Sequence, residues 1–164
     1  MNHPTIIKKL AEIATDGLDL RGRWPGWEMR LVLNDDNCPH PLWNEKTREA
    51  TWVDPMREDW EVLTAESRRL LDQGYRFIAV LDSHTHADHI TGGPDLATRT
   101  GASYHVPIED TGRAPTPFAN EPLEDGATIS LGGVDVQVLS IKMPGHTPGS
   151  TCISLPGAFL LTGD

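Results

Sequence analysis

The chain is poor in cysteine, poor in positive charge and without a long apolar run. Its two cysteines, Cys38 and Cys152, lie far apart and match no zinc-clip or redox spacing, so two reduced thiols are expected rather than a disulfide. Fourteen Lys and Arg against 24 Asp and Glu give a formal net charge of −10. That balance leaves no basic footprint for nucleic acid or an anionic membrane. No stretch approaches the roughly 20 apolar residues of a transmembrane helix. The first ten residues have neither the apolar core nor the small-residue cleavage site of a secretory leader, so the cytoplasm is the expected compartment. At 164 residues the chain is one domain or part of one.

Potential metal ligands are, by contrast, dense. His84-Thr85-His86-Ala87-Asp88-His89 follows directly on the apolar run Phe77-Ile78-Ala79-Val80-Leu81, which reads as a buried strand ending in a ligand-bearing loop. Imidazoles and a carboxylate suit zinc, iron or manganese. His84, His86 and Asp88 would share a side if the loop stayed extended, and His89 would need a turn. Two later segments join them. Pro144-Gly145-His146-Thr147-Pro148-Gly149-Ser150 is a turn bracketed by proline and glycine that presents one histidine. Phe159-Leu160-Leu161-Thr162-Gly163-Asp164 is a second apolar strand ending in a carboxylate.

The remaining pattern predicts an amphipathic helix over 5–15 and a linker over 21–26. A meander follows, with strands at Met29–Leu33, Pro41–Trp43 and Ala50–Val53 and a turn at Asn44–Thr47. A helix is predicted over 57–73 with Trp60, Leu63, Ser67, Leu70 and Leu71 on its spacing, then a strand over Tyr75–Leu81. Gly93-Pro94-Asp95 opens another helix and Gly101 closes it. Tyr104–Val106 is a strand and Gly112–Pro122 an exposed loop. Ala127–Ser130 pairs with Val134–Ile141, and Thr151–Leu155 with Ala158–Leu161. Cys38-Pro39-His40 is read as loop, and His105 as a packed histidine. The five tryptophans fit a substrate-contacting wall or simple packing, and packing is expected because tryptophan is highly buried on average.

This constellation resembles the metallo-β-lactamase-fold superfamily over roughly residues 27–164. The finer resemblance is to the glyoxalase II and persulfide dioxygenase branch. It is carried by Glu49–Pro55, Thr85–Gly93, Pro144–Ser150 and Leu161–Asp164. The His86–Gly92 wording and the short His146–Asp164 interval look closer to the persulfide dioxygenases.

The resemblance implies an α/β (α+β) fold, the αββα sandwich, with residues 1–26 a leading helix and linker. Members continue into a second β-layer whose final histidine completes a second metal site. This sequence is therefore expected to be the N-terminal part of a longer protein, with that layer incomplete. Two ligand sets follow. In a glyoxalase II-like zinc hydrolase of thioesters or related esters, His84, His86 and His146 hold one zinc, Asp88 and His89 begin a second site, and Asp164 bridges. In a persulfide dioxygenase, His84, His146 and Asp164 hold one Fe(II), and His86, Asp88 and His89 support them. Asp88 and Asp164 are the expected catalytic carboxylates, and Asp54 is either a support or an ordinary turn residue. The implied substrate is a small thiol-derived molecule, glutathione persulfide or a thioester, with a homodimer left open. A third reading is an inactive metal-binding fragment.

Overall fold

Apolar residues run almost unbroken through Phe77–Leu81, so that strand has two buried faces and a layer is needed on both sides of its sheet. The computed structural model describes residues 18–19, 27–29, 39–111, 118, 120–131, 137–155 and 159–164. The expected helix over 5–15, the linker, Cys38 and the turns at Gly132-Gly133 and Pro156-Gly157 lie outside them.

Among the described residues seven strands form the first sheet in chain order: β1 (Leu18–Asp19), β2 (Trp27–Met29), β3 (His40–Asn44), β4 (Glu49–Val53), β5 (Arg76–Leu81), β6 (Ser103–Pro107) and β7 (Glu121–Leu123). Pairing is antiparallel from β1 to β4 and parallel from β4 to β7. The second sheet is antiparallel, in the order β11 (Phe159–Leu161), β10 (Thr151–Leu155), β9 (Gln137–Lys142), β8 (Thr128–Ser130). The parallel strands are joined through α1 (Trp60–Asp72), preceded by a 3-10 turn at Arg57–Asp59, α2 (Gly93–Thr100) and the short α3 (Ile108–Thr111). This is the mixed α/β architecture expected. Among the described residues, no helix is long and apolar enough to cross a membrane.

The two faces of the first sheet carry two cores. Trp43, Ala50, Trp52, Phe77, Val80, Tyr104 and Val106 pack with Leu63, Leu70, Leu96 and Ala97 of the helices. Leu42, Val53, Ala79 and Leu81 pack with Leu123, Leu131 and Ile153. A bulge sets this phase. Ala50 pairs with Phe77 but Thr51 pairs with Ala79, so Ile78 is extra. Beyond it Ala79 and Leu81 face the second sheet, while Val80 faces the helices.

Trp43, Trp52 and Trp60 serve packing, as expected, and the Trp52 indole donates to the Ser67 hydroxyl at 3.0 Å. His105 is buried beside Ser103 (Oγ to Nε2 2.8 Å).

Three expectations change. Leu71 is exposed, and Glu66, bonded to Arg69 at 2.7 Å, takes its place on the buried face. His40 starts a strand rather than lying in a loop, because it pairs with Val53 and Pro41 with Trp52. Glu121-Pro122-Leu123 is an edge strand rather than loop. Proline is tolerated at a sheet's edge, where it need not donate to a neighbour.

Leu63→Ala should cost about 2–5 kcal/mol by opening a cavity under α1, whereas Val62→Ala, on the exposed face, should stay within about 0.5 kcal/mol. Urea unfolding measures both, and equal effects would contradict the assigned helix face.

Candidate metal centre

The parallel strands β4, β5 and β6 run in one direction, so the segments that follow them meet at one edge of the sheet. There Asp54, the loop 82–92 and Asp110 come together. The loop is pinned at its entry. Asp54, at a left-handed φ of 49°, donates its amide to Leu81 O at 2.8 Å. Its carboxylate Oδ1 accepts the Ser83 amide at 2.6 Å. The Asp82 amide donates to His105 O at 3.0 Å. The exit is pinned too: Arg57 N donates to Ile90 O (2.8 Å) and Gly92 N to Pro55 O (2.6 Å). Asp54 is therefore both a strand-end turn residue and a support of the loop.

His84, Asp88, His146 and Asp164 each bring one ligand atom within 4.8 Å of the others. His84 is buried, and Ser83 Oγ lies 3.0 Å from its Nδ1. Its Nε2 has no hydrogen-bond partner among the described residues. Burial, then the neighbouring His86, lowers the His84 pKa, which favours the neutral imidazole that binds metals.

His146 is exposed, with its ring 5.0 Å from that of His84 and its Nε2 3.8 Å from Asp88 Oδ1. Its loop is closed by Met143 N to Ser150 O (2.7 Å) and tied to the first loop by Thr151 N to Ser83 O (2.9 Å). Asp164 follows Gly163, whose φ is 62°. A Cβ on Gly163 would lie 2.5 Å from Ser83 Oγ, so glycine is needed for conformation and for space.

His86 and His89 do not join this group. The His86 ring lies 3.9 Å from the His84 ring, yet its ligand atom groups with Asp54 and Asp82. His86 Nε2 stands 3.6 Å from Asp54 Oδ1. Burial disfavours the His86 imidazolium, but Asp54 and Asp82 outweigh it and raise the pKa. Burial, then the Asp54 charge, pushes Asp82 up to about 7, and the Tyr104 hydroxyl donates to its Oδ2 at 2.5 Å. His89 sits beside Asp88 (3.7 Å) and Glu58 (3.9 Å). The alternation that would place His84, His86 and Asp88 together holds only for extended backbone, and this loop bends.

At this edge of the sheet two buried acids, Asp82 and Asp110, were not expected from the sequence. Asp82 had a usable signal, a carboxylate closing an apolar strand. Asp110 had none. It accepts from Thr85 N (2.8 Å), Thr147 Oγ1 (3.0 Å) and Gly149 N (2.9 Å).

Two imidazoles and two carboxylates converging, one imidazole nitrogen buried without a partner, fit a transition metal such as zinc or iron. Residues 49–164 match the profile of the Metallo-beta-lactamase superfamily. The chain belongs to this family. Within it, the chain is 31% identical over 141 residues to a hydroxyacylglutathione hydrolase of Gloeobacter violaceus, covering 82% of this chain and 51% of that one. It is 27% identical over 139 residues to the mitochondrial persulfide dioxygenase ETHE1 of Bos taurus, covering 83% and 51%. The crystal structure of ETHE1 from Myxococcus xanthus shares the fold at a TM-score of 0.63 and 24% identity, covering 77% and 53%. A metallo-beta-lactamase of Staphylococcus aureus does so at 0.70 and 23%, covering 83% and 43%. The chain spans about half or less of the length of these relatives.

Gly163→Ala should weaken zinc retention roughly tenfold or more, because the added methyl displaces Ser83 beside His84. Gly74→Ala, also at positive φ but in open space, should cost about 1 kcal/mol of stability and leave retention unchanged. Competition with a chromophoric chelator measures this. Equal retention in both variants would contradict the packing argument.

Proposed function

We propose that this superfamily member binds one Fe(II) through His84, His146 and Asp164, and that the protein oxidises glutathione persulfide with dioxygen. The observation that carries the reading is the convergence of those three groups while His86 stays with Asp54 and Asp82. Two histidines and one carboxylate with open positions are the donor set of non-haem iron oxygenases. The likeness to a protein named persulfide dioxygenase supports the substrate class. A metal bound there supplies Lewis acidity and open positions for substrate.

The chain's own groups do the rest. Ser83 Oγ engages His84 Nδ1 and leaves the buried Nε2 as the ring nitrogen without a hydrogen-bond partner among the described residues. Gly163 turns Asp164 toward His84. Asp88 is held below the ordinary carboxylate range by its own amide and by His89 and His146. It stays ionised at neutral pH and offers an acceptor to a polar group of the substrate. Asp88 and Asp164 are thus the carboxylates assigned to the chemistry.

The second reading, zinc-dependent hydrolysis of a glutathione thioester, also has support. Asp88 lies in the same group with His89 beside it, where a second metal would begin. Several hydroxyacylglutathione hydrolases match at 31–40% identity.

An oxygen electrode separates the two. Iron-loaded protein should consume dioxygen when glutathione persulfide is added. Asp164→Ala should lose roughly 100-fold or more of that rate, and His89→Ala far less. Zinc-loaded protein that cleaves hydroxyacylglutathione, with no persulfide-dependent oxygen uptake by the iron form and equal losses in the two variants, would replace the first reading by the second. Neither activity in metal-loaded protein would leave a metal-binding chain without catalysis.

A further inference from the structure

The two histidines that converge sit on loops 62 residues apart in sequence, on different sheets, and a third element reaches both. Asp110, in α3 directly after β6, is buried. Its Oδ2 accepts the Thr85 amide at 2.8 Å and the Thr147 hydroxyl at 3.0 Å. Its Oδ1 accepts the Gly149 amide at 2.9 Å. Thr85 is the residue after His84, and Thr147 the residue after His146. The approach is close: a Cβ on Gly149 would fall 2.4 Å from Asp110 Cγ, so only glycine admits the carboxylate there.

Burying a charged carboxylate is expensive unless its oxygens are satisfied. A single loop could be capped by a neutral group. Accepting on both oxygens from two loops requires a carboxylate, because an asparagine in its place offers one acceptor and turns an NH₂ toward an N–H or O–H donor.

We propose that Asp110 is a positioning residue that fixes the distance between His84 and His146, and so sets the geometry and affinity of the metal they hold. The proposal rests on the metal-binding reading of the site, but not on which reaction follows.

The test uses cobalt(II) as the probe, since its d–d absorption reports ligand number and geometry. Asp110→Asn keeps the size and removes one acceptor. It should shift or weaken the d–d bands and lower cobalt affinity roughly tenfold or more, with far-UV circular dichroism of a folded protein. Thr147→Val removes one bond of the three, should fold normally, and should fall between Asp110→Asn and wild type. It carries the test if Asp110→Asn does not fold. Two controls exclude a general loss of stability. Leu63→Ala, destabilised but remote, and Glu109→Gln, which removes the neighbouring ion pair with Lys142 and none of the three bonds to Asp110, should both give the wild-type spectrum.

Spectra and affinities of Asp110→Asn and Thr147→Val that match wild type would overturn the proposal alone. A d–d change equally large in Leu63→Ala would overturn it too. Wild-type protein that takes up no cobalt would overturn the metal reading, and the proposal with it.

Discussion

The ligand loop after β5 has no ladder to satisfy its main-chain amides, and buried amides need partners. Two carboxylates meet that need. Asp54 takes the amide of Ser83, before His84, and Asp110 takes the amide of Thr85, after it. His84 therefore sits between two fixed peptide groups, and Ser83 Oγ fixes its ring from the side. Asp110 extends the same constraint to the His146 loop, and Gly163 packs against Ser83 just before Asp164. Asp54, Asp110, Gly149 and Gly163 all act on the geometry of the ligands. Each is a place where a side chain of another size or charge would move a ligand.

The sheet makes this possible by direction and by phase. Parallel pairing of β4, β5 and β6 delivers their ends to one edge, the usual location of sites in sheets of this kind. The bulge at Ile78 then decides which side each following residue takes. Leu81 goes to the inter-sheet core, while Asp82 goes to the helix side, where Tyr104 donates to it. The result is two neighbouring groups behind one edge. One, His84 with Asp88, His146 and Asp164, faces outward. The other, Asp54 with Asp82 and His86, is more enclosed.

Much of this was legible in the residues. The apolar run before His84, the proline and glycine that open and close α2, and the β10–β11 pairing all carry local signals that the structure reproduces. Four of the six positions read as ligands, His84, Asp88, His146 and Asp164, also lie near one another, brought in from three segments. What was not legible depends on tertiary contacts. Period-two alternation puts His86 beside His84 and Asp88 only in an extended loop, and this loop bends between its bonds to the sequence-distant Asp54 and Asp110. Asp110 looks like any acid in a short helix until two loops fold over it. Pro122 reads as loop until β6 offers it an edge. The Ile78 bulge leaves no mark in an apolar run where every residue is suited to burial.

In the proposed centre one metal is held by two imidazoles, His84 and His146, with Asp164, while His86 groups with Asp54 and Asp82. X-ray absorption fine structure on protein loaded with one equivalent of iron(II) tests it most directly, because imidazole rings give a countable multiple-scattering signature. Two imidazoles with oxygen donors completing the shell are expected, and the same spectrum in His86→Ala. Three imidazoles in the wild type, falling to two in His86→Ala, would contradict it.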